Sequence, residues 1–198
     1  MKKDEKKNEK EKKILDASYV LFIEKGVSNT SIQDIVSKAG VAKGTFYLYF
    51  KDKNDLQEKL ITKLSSKLFN DSISELNKNF INNFEDQIIF IVNYIIDTLI
   101  KKPELISLIS KDLSLGLYAD SFTKIINNDE IGLFNIFEKK VSENNIKMEN
   151  PKVILFMIIE LASATSFSSI MYDRPLPILS FKPFLYDAIR KILKDASK

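Results

Sequence analysis

The chain has 198 residues and a hydrophobic content of 44%, which is enough for one large domain or two small ones with a real core. It contains no cysteine and no histidine, which excludes disulfide bonds, thiolate metal sites, a cysteine nucleophile and the usual histidine general base. Five glycines and five prolines leave little room for long loops, so the composition favours an all-α fold. We expect no catalytic residue, no metal and no cofactor.

The net charge of +3 lies entirely near the N-terminus: residues 1–60 hold 13 lysines and 10 acidic residues, and the remainder is balanced. This distribution is typical of a protein that meets nucleic acid. The only arginines, Arg174 and Arg190, lie outside this region, so the sequence favours an A·T-rich DNA site without bidentate arginine–guanine contacts. The first 13 residues lack the apolar core of a signal peptide, and we expect a cytoplasmic protein.

The first predicted helix covers about residues 9–25 and ends at Gly26. Thr30 and Ser31 then form a polar entry to a second helix, and either hydroxyl can act as its N-cap. Apolar residues recur over 32–39 at the spacing of one helix face, which predicts a helix of about two turns.

A third short helix is predicted over about residues 42–50, separated from the second by a turn at Gly40, where a glycine ends a helix without steric cost. Phe46 and Phe50 lie four residues apart and define its buried side. Two short helices joined in this way are typical of a helix-turn-helix, whose second helix enters the major groove of DNA. The residues predicted to face DNA are Thr30, Ser31, Lys43, Gly44, Thr45, Tyr47, Leu48, Tyr49, Lys51 and Lys53.

This segment resembles the DNA-binding domain of the tetracycline-repressor (TetR) family of bacterial transcription regulators. The residues that match the family pattern are Phe22, Gly26, Thr30, Ile32, Ile35, Ala39, Gly40, Val41, Gly44, Thr45, Tyr47, Tyr49, Phe50, Lys53 and Leu56. Two positions depart from it. Val36 replaces the usual alanine, which is a packing change, and Ala42 replaces the usual serine or threonine, which removes a capping or phosphate-binding hydroxyl.

The resemblance implies two domains: residues 1–56 with the N-terminal arm and the three-helix DNA-binding domain, and residues 57–198 for effector binding and dimerisation, about nine helices in all. Helix 4 is predicted to run to about Asn79. The later helices are predicted at about Glu85–Lys101, Pro103–Ile109, Leu113–Asn127, Glu130–Asn144, Pro151–Tyr172 and, after a loop of sequence RPLPILSFKP, Phe184–Ala196.

The resemblance also implies a small-molecule effector between the middle helices, and we expect a mainly hydrophobic one. Aromatic side chains are candidates for the cavity or for the core, while acidic residues inside apolar runs need a partner when buried. Asp97 and Glu160 are candidates for pairing with a cationic ligand or for a contact between helices. The full candidate set is Phe69, Phe90, Tyr94, Asp97, Tyr118, Phe122, Phe137, Glu160 and Phe167.

The resemblance also implies a homodimer that spans two half-sites of a palindromic operator. The last two long helices are its predicted interface, and ordinary burial within one subunit is the alternative. Six small residues are predicted to allow close approach of the helices: Ala162, Ser163, Ala164, Ser166, Ser168 and Ser169. Three large residues are predicted to provide apolar contact: Phe156, Ile159 and Ile170. The apolar runs at 87–100 and 153–171 are short or interrupted by polar residues, so we expect buried helices and no membrane partner.

Together these features predict a homodimeric, ligand-responsive transcriptional regulator, most simply a repressor released from its operator by the effector. An architectural DNA-binding protein without an inducer is the alternative within DNA binding. A small helical enzyme and a membrane-associated adaptor are the alternatives from other classes.

Overall fold

The computed structural model describes residues 2–109 and 133–197, and α-helices account for most of this part of the chain. Within these ranges no strand forms apart from one isolated β-bridge between Met148 and Ser197, so the all-α prediction is confirmed. The helices are α1 Lys2–Lys25, α2 Ile32–Ala39, α3 Lys43–Tyr49, α4 Lys53–Leu76, α5 Phe84–Lys101, α6 Pro103–Ile109, α7 Leu133–Glu143, α8 Pro151–Tyr172 and α9 Ile178–Ala196.

The last helix differs from its prediction, since α9 begins at Ile178 rather than at about residue 184. Pro183 was expected to belong to the preceding loop, but it lies inside the helix. A proline at this position removes the hydrogen bond to the carbonyl of Leu179 and crowds that carbonyl, and Leu179 is an exposed residue near the beginning of the helix. The helix predicted at about residues 113–127 lies outside the described residues.

The chain divides into two compact units, Met1–Lys63 and Leu64–Lys198, with the division inside α4. The functional division that the sequence places after residue 56 stays a prediction. In the first unit, α2 and α3 pack on α1, because each short helix buries one apolar side. The buried apolar residues of this core include Ile14, Leu21, Phe22, Ile35, Val36, Phe46, Phe50, Leu56, Leu60 and Ile61.

The core of the second unit is built from stripes of apolar residues at three- and four-residue spacing, which place them on one face of each helix. Helix α5 contributes Phe84, Ile88, Val92 and Ile96, and its polar start is capped by Asn83, whose side chain accepts from the amide of Asp86. The other members are Phe137, Val141, Leu155, Ile158, Ile178, Leu185, Ile189 and Leu193, from α7, α8 and α9.

Helix α8 has apolar residues on all sides, together with Lys152 and Glu160. Among the described residues it is the one helix whose length and composition would let it cross a membrane. Its inner face belongs to the core. Several residues predicted to meet a dimer partner lie on this inner face instead, because Ser166 and Ser169 are buried and Ile159, Ala162, Ser163 and Ile170 border a cavity or the core.

Candidate nucleic-acid interface and ligand cavity

The start of α2 is held by a reciprocal pair of hydrogen bonds. The Ser31 hydroxyl accepts from the backbone N–H of Asp34 at 3.1 Å, and the Asp34 carboxylate accepts from the backbone N–H of Ser31 at 3.0 Å. This capping box satisfies two amides that the helix itself leaves free. The backbone hydrogen bond from Ser31, followed by the bond from its hydroxyl, lowers the pKa of Asp34. Ser31 is therefore the N-cap, and it remains exposed at the helix N-terminus.

Thr30, the other candidate for this role, is buried. Its hydroxyl donates to the backbone oxygens of Leu21 at 3.3 Å and Gly26 at 2.8 Å, so the side chain closes the turn between α1 and α2. A side chain that is 1% exposed has no surface to offer to a phosphate. The structure thus assigns the Thr30 side chain to the core rather than to the predicted DNA-facing set.

Helix α3 presents its outer face to solvent because Phe46 and Phe50 anchor the other face in the core. Tyr47 is 52% exposed and Leu48 is 77% exposed, which is unusual for large apolar side chains on so short a helix. The recognition surface, as we call it, comprises the exposed residues Lys43, Gly44, Tyr47, Leu48 and Lys51, with Thr45 and Tyr49 half-buried at its edges.

The N-terminus of α3 has no side-chain cap, because its N-cap residue is Ala42. As the sequence predicts, Ala42 provides no hydroxyl to cap this helix. The amides of the first turn and the ammonium group of the neighbouring Lys43 carry positive charge at the same end of the helix. Since Lys43 and Gly44 are exposed, this end of α3 can accept an anionic oxygen such as a phosphate.

Two lysines of α4 bind main-chain carbonyl groups in the first unit. The ammonium of Lys53 donates to the oxygens of Val27 at 2.8 Å and Thr30 at 3.0 Å, and so ties the α1–α2 turn to α4. The ammonium of Lys59 donates to the oxygen of Tyr49 at 2.7 Å and lies 4.9 Å from the centre of the Phe50 ring. Lys59 was not singled out from the sequence, because no local pattern links it to the end of α3.

A partly open cavity of about 130 Å³ lies in the second unit. Its described lining is almost wholly apolar, with three serines and one charged residue, Lys140. The hydroxyl of Ser166 borders it, and this side chain is 3% exposed with no hydrogen-bond partner among the described residues. Three of the aromatic residues predicted to contact an effector line this cavity: Phe69, Phe137 and Phe167.

The other predicted effector residues have different positions. Phe90, Tyr94 and Asp97 are absent from the described lining, because the residues of α5 that border the cavity occupy another side of the helix. Glu160 is also absent from it, although its Oε1 atom is buried and has no partner within the described chain. The remaining two candidates, Tyr118 and Phe122, lie outside the described residues.

Asp97 belongs to a cluster between α5 and α9. The ammonium of Lys182 binds the Asp97 carboxylate and also donates to Oδ1 of Asn93 at 2.8 Å. Tyr186 donates its hydroxyl to the same Asn93 oxygen at 2.6 Å, and the Asn93 amide nitrogen donates to Asp97 at 3.0 Å. Burial raises the pKa of Tyr186, and the charge of Asp97 raises it further. The sequence left two alternatives for Asp97, a cationic ligand or a contact between helices. The structure shows Asp97 in a contact between helices.

The comparisons with known proteins concentrate on the first unit. Residues 14–60 match the family model of bacterial regulatory proteins of the tetR family. The chain is 57% identical to an uncharacterized HTH-type transcriptional regulator, YvdT of Bacillus subtilis, over 47 residues. These 47 residues are 24% of this chain and 24% of YvdT. The chain is 51% identical over 43 residues to the HTH-type transcriptional regulator AcrR of Shigella flexneri, 22% of this chain and 20% of AcrR. The chain thus matches about a quarter or less of the length of these relatives.

Solved structures extend the likeness of the fold to nearly the whole chain. The fatty acid degradation regulator FadR of Bacillus halodurans superposes with a TM-score of 0.61 at 19% identity, covering 91% of this chain and 94% of its own. FadR of Bacillus subtilis, solved in complex with stearoyl-CoA, superposes with a TM-score of 0.60 at 18% identity. The superposition covers 89% of this chain and 96% of that FadR. At this identity the likeness concerns the fold. The sequence match covers residues 14–60, and this part of the chain is similar to the DNA-binding region of the tetR family of bacterial regulatory proteins.

Proposed function

We propose that the protein is a homodimeric transcriptional repressor that binds a palindromic operator through α3 and is released by a small, mainly hydrophobic effector. The observation that carries this proposal is the recognition surface, where Tyr47 and Leu48 are exposed on a helix that Phe46 and Phe50 fix in the core. The exposed parts of these two side chains can contact a phosphate and the methyl group of thymine.

The proposed DNA contacts follow from exposure. Lys43, Lys51 and the amides at the start of α2 and α3 would meet phosphates, with Ser31 and Tyr49 beside them. Thr45 and Leu48 would reach base edges, and Gly44 would allow close approach of the backbone. Lys53 would contribute one remaining N–H at most, because two of its three donors bind Val27 and Thr30.

The proposed dimer uses the outer faces of α8 and α9. On α8, exposed apolar side chains recur at positions 153, 157, 164 and 171, a spacing of four and seven residues that draws one line along the helix. Leu179 and Phe184 on α9 are 73% and 65% exposed. An apolar surface of this kind is typical of a helix-to-helix interface between subunits.

The proposed effector site is the cavity in the second unit. Its apolar lining supports a mainly hydrophobic ligand, and the relative solved with stearoyl-CoA shows that this fold accommodates an acyl compound. We propose that the effector favours a conformation in which the two α3 helices of the dimer no longer fit the half-sites. Operator and effector must then weaken each other's binding by the same factor.

The test uses operator DNA selected from a random library and fluorescence anisotropy at fixed salt. Tyr47→Ala should weaken binding of the selected site at least several-fold, and Leu48→Ala should change the preferred sequence, because direct readout depends on these contacts. Phe80→Ala is the matched control, since Phe80 is fully exposed outside the recognition surface. Wild-type affinity and sequence preference in both α3 variants would refute the assigned contacts.

The architectural alternative makes a different prediction in the same assay. Such a protein would bind DNA with little sequence preference and would lack a ligand that releases it. A defined motif from the selection supports the regulator, whereas a featureless one supports the architectural protein.

A further inference from the structure

The cavity in the second unit follows helix α5. On α5 it is bordered by Ile88, Ile91, Val92, Ile95, Ile96 and Leu99, a stripe that extends over about 16 Å at 1.5 Å per residue. A compact cavity of about 150 Å³ holds a benzene ring. A volume of about 130 Å³ along so long a stripe, open to solvent over part of its boundary, fits an unbranched chain, whose end can extend out of the cavity, better than a fused ring system.

Charge is found at one end of this stripe. Lys140 is the single charged residue among the described lining. Its ammonium donates to Oε1 of Gln87 at 2.9 Å, and Gln87 precedes Ile88 at the beginning of the α5 stripe. The partner is a neutral amide, so the positive charge of Lys140 is not neutralised by any carboxylate within the described ranges. An ammonium group has three donors, and one of them is used in the contacts among the described residues.

The neighbouring lysine provides the contrast. Lys139 is 75% exposed and forms an ion pair with Glu143 at 3.7 Å, one turn along α7. It does not border the cavity within the described lining. Two consecutive residues of one helix thus carry the same charge in different settings: Lys139 faces solvent with an acidic partner, while Lys140 borders an apolar cavity with an amide partner.

We infer that the effector is an unbranched aliphatic monocarboxylate, with its chain along the α5 stripe and its carboxylate on Lys140. This inference rests on the proposed function and names the chemical class of its ligand. A carboxylate that leaves water needs a cation as a partner, and Lys140 supplies it at the end of the stripe. A cationic ligand has no acidic residue among the described lining to pair with.

Isothermal titration of the full chain with decanoate, decanol and decylamine, each below its micellar concentration, tests the inference. The wild-type protein should bind decanoate at least about tenfold more tightly than the alcohol or the amine, as expected for a hydrogen-bonded charge pair in a partly dry site. Lys140→Met should remove this preference, because methionine retains the apolar stem without the charge. Lys139→Met should leave it unchanged.

Three outcomes would overturn the inference: equal binding of decanoate and decanol, preferential binding of the amine, or no saturable binding of any of the three. Operator binding measured on the same preparations separates these results from a failure of the proposed function. If decanoate binds through Lys140 but leaves operator affinity unchanged, the ligand class stands and the repressor mechanism fails. If decanoate is rejected while the operator is bound specifically, the regulator stands and the ligand class fails.

Discussion

Lys51 and Lys53 are two residues apart, yet their side chains are in different environments. Lys51 is exposed beside α3, and its backbone amide donates to the Asp55 carboxylate at 2.8 Å. The ammonium of Lys53 is bound to Val27 and Thr30, 23 residues and more away in the chain. Lys53 was expected to contact DNA, but its observed bonds show that it also stabilises the turn that precedes α2.

The two lysines should therefore respond differently to the same substitution. Lys53→Met should lower the free energy of unfolding by about 1–2 kcal/mol, because two charge-assisted hydrogen bonds are lost. Lys51→Met should leave stability unchanged but reduce the slope of log affinity against log salt by about 0.9, as expected for one phosphate contact. Chemical denaturation and anisotropy titrations over a salt series measure the two effects. An unaltered unfolding curve for Lys53→Met would show that the turn does not depend on this residue.

The helix-turn-helix contains two glycines with different structural roles. Gly40 ends α2 with φ of +66°, and its N–H donates to the oxygens of Ser37 and Val36. Gly44 lies in the first two residues of α3 with ordinary helical geometry. A Cβ atom added to either would meet no other atom within 4 Å. Their substitution costs therefore differ through backbone conformation rather than through packing.

Gly40→Ala should destabilise the protein by about 1 kcal/mol, because a side chain in the left-handed region is strained. Gly44→Ala should instead stabilise it by up to about 1 kcal/mol, since alanine favours the helix. If the α3 backbone approaches DNA at Gly44, the same stabilised variant should bind the operator more weakly. Thermal melts and operator titrations of both variants measure this, and destabilisation by Gly44→Ala would contradict it.

At the scale of elements, the sequence predicted the first unit well because its determinants are local. The spacing of Ile32, Ile35 and Val36, the turn at Gly40 and the pair Phe46 and Phe50 all act within a few residues. The beginning of α9 could not be predicted in this way. Pro183 is typical of a loop, and only the tertiary setting of Ile178, which is buried in the core, shows that the helix begins earlier.

The same difference between local and long-range determinants applies to the candidate sites. Exposure of Tyr47 and Leu48 could be predicted from helix periodicity, whereas the bonds of Lys53 and Lys59 join residues that are distant in sequence. For the cavity, aromatic composition identified Phe69, Phe137 and Phe167 but gave no way to separate them from Phe90. Lys140 was missed because a lone lysine on an amphipathic helix is usually a solvated residue.

For the whole molecule, the proposed dimer links assembly to operator binding. Phe184→Glu places a charge on the exposed apolar face of α9, so we expect it to produce a monomer that binds the palindromic operator at least tenfold more weakly. Phe80→Glu is the matched control, because Phe80 is also an exposed phenylalanine but lies between α4 and α5.

Sedimentation velocity over a range of protein concentrations, combined with operator titrations, measures both properties. The fold of each variant is checked by its helical circular dichroism. A wild-type protein that sediments as a monomer while it saturates the operator would refute the dimer. A Phe184→Glu variant that remains dimeric would place the interface on another face.

The cluster around Asn93 limits which substitutions the chain can accept. Asparagine codons become aspartate codons by a single nucleotide change, and the two side chains have almost the same shape. At position 93, however, the amide nitrogen donates to Asp97 while the amide oxygen accepts from Lys182 and Tyr186. An aspartate would place a second acceptor against Asp97, so a readily accessible mutation is costly here. Natural variants with aspartate at this position should therefore also have lost the acid at position 97.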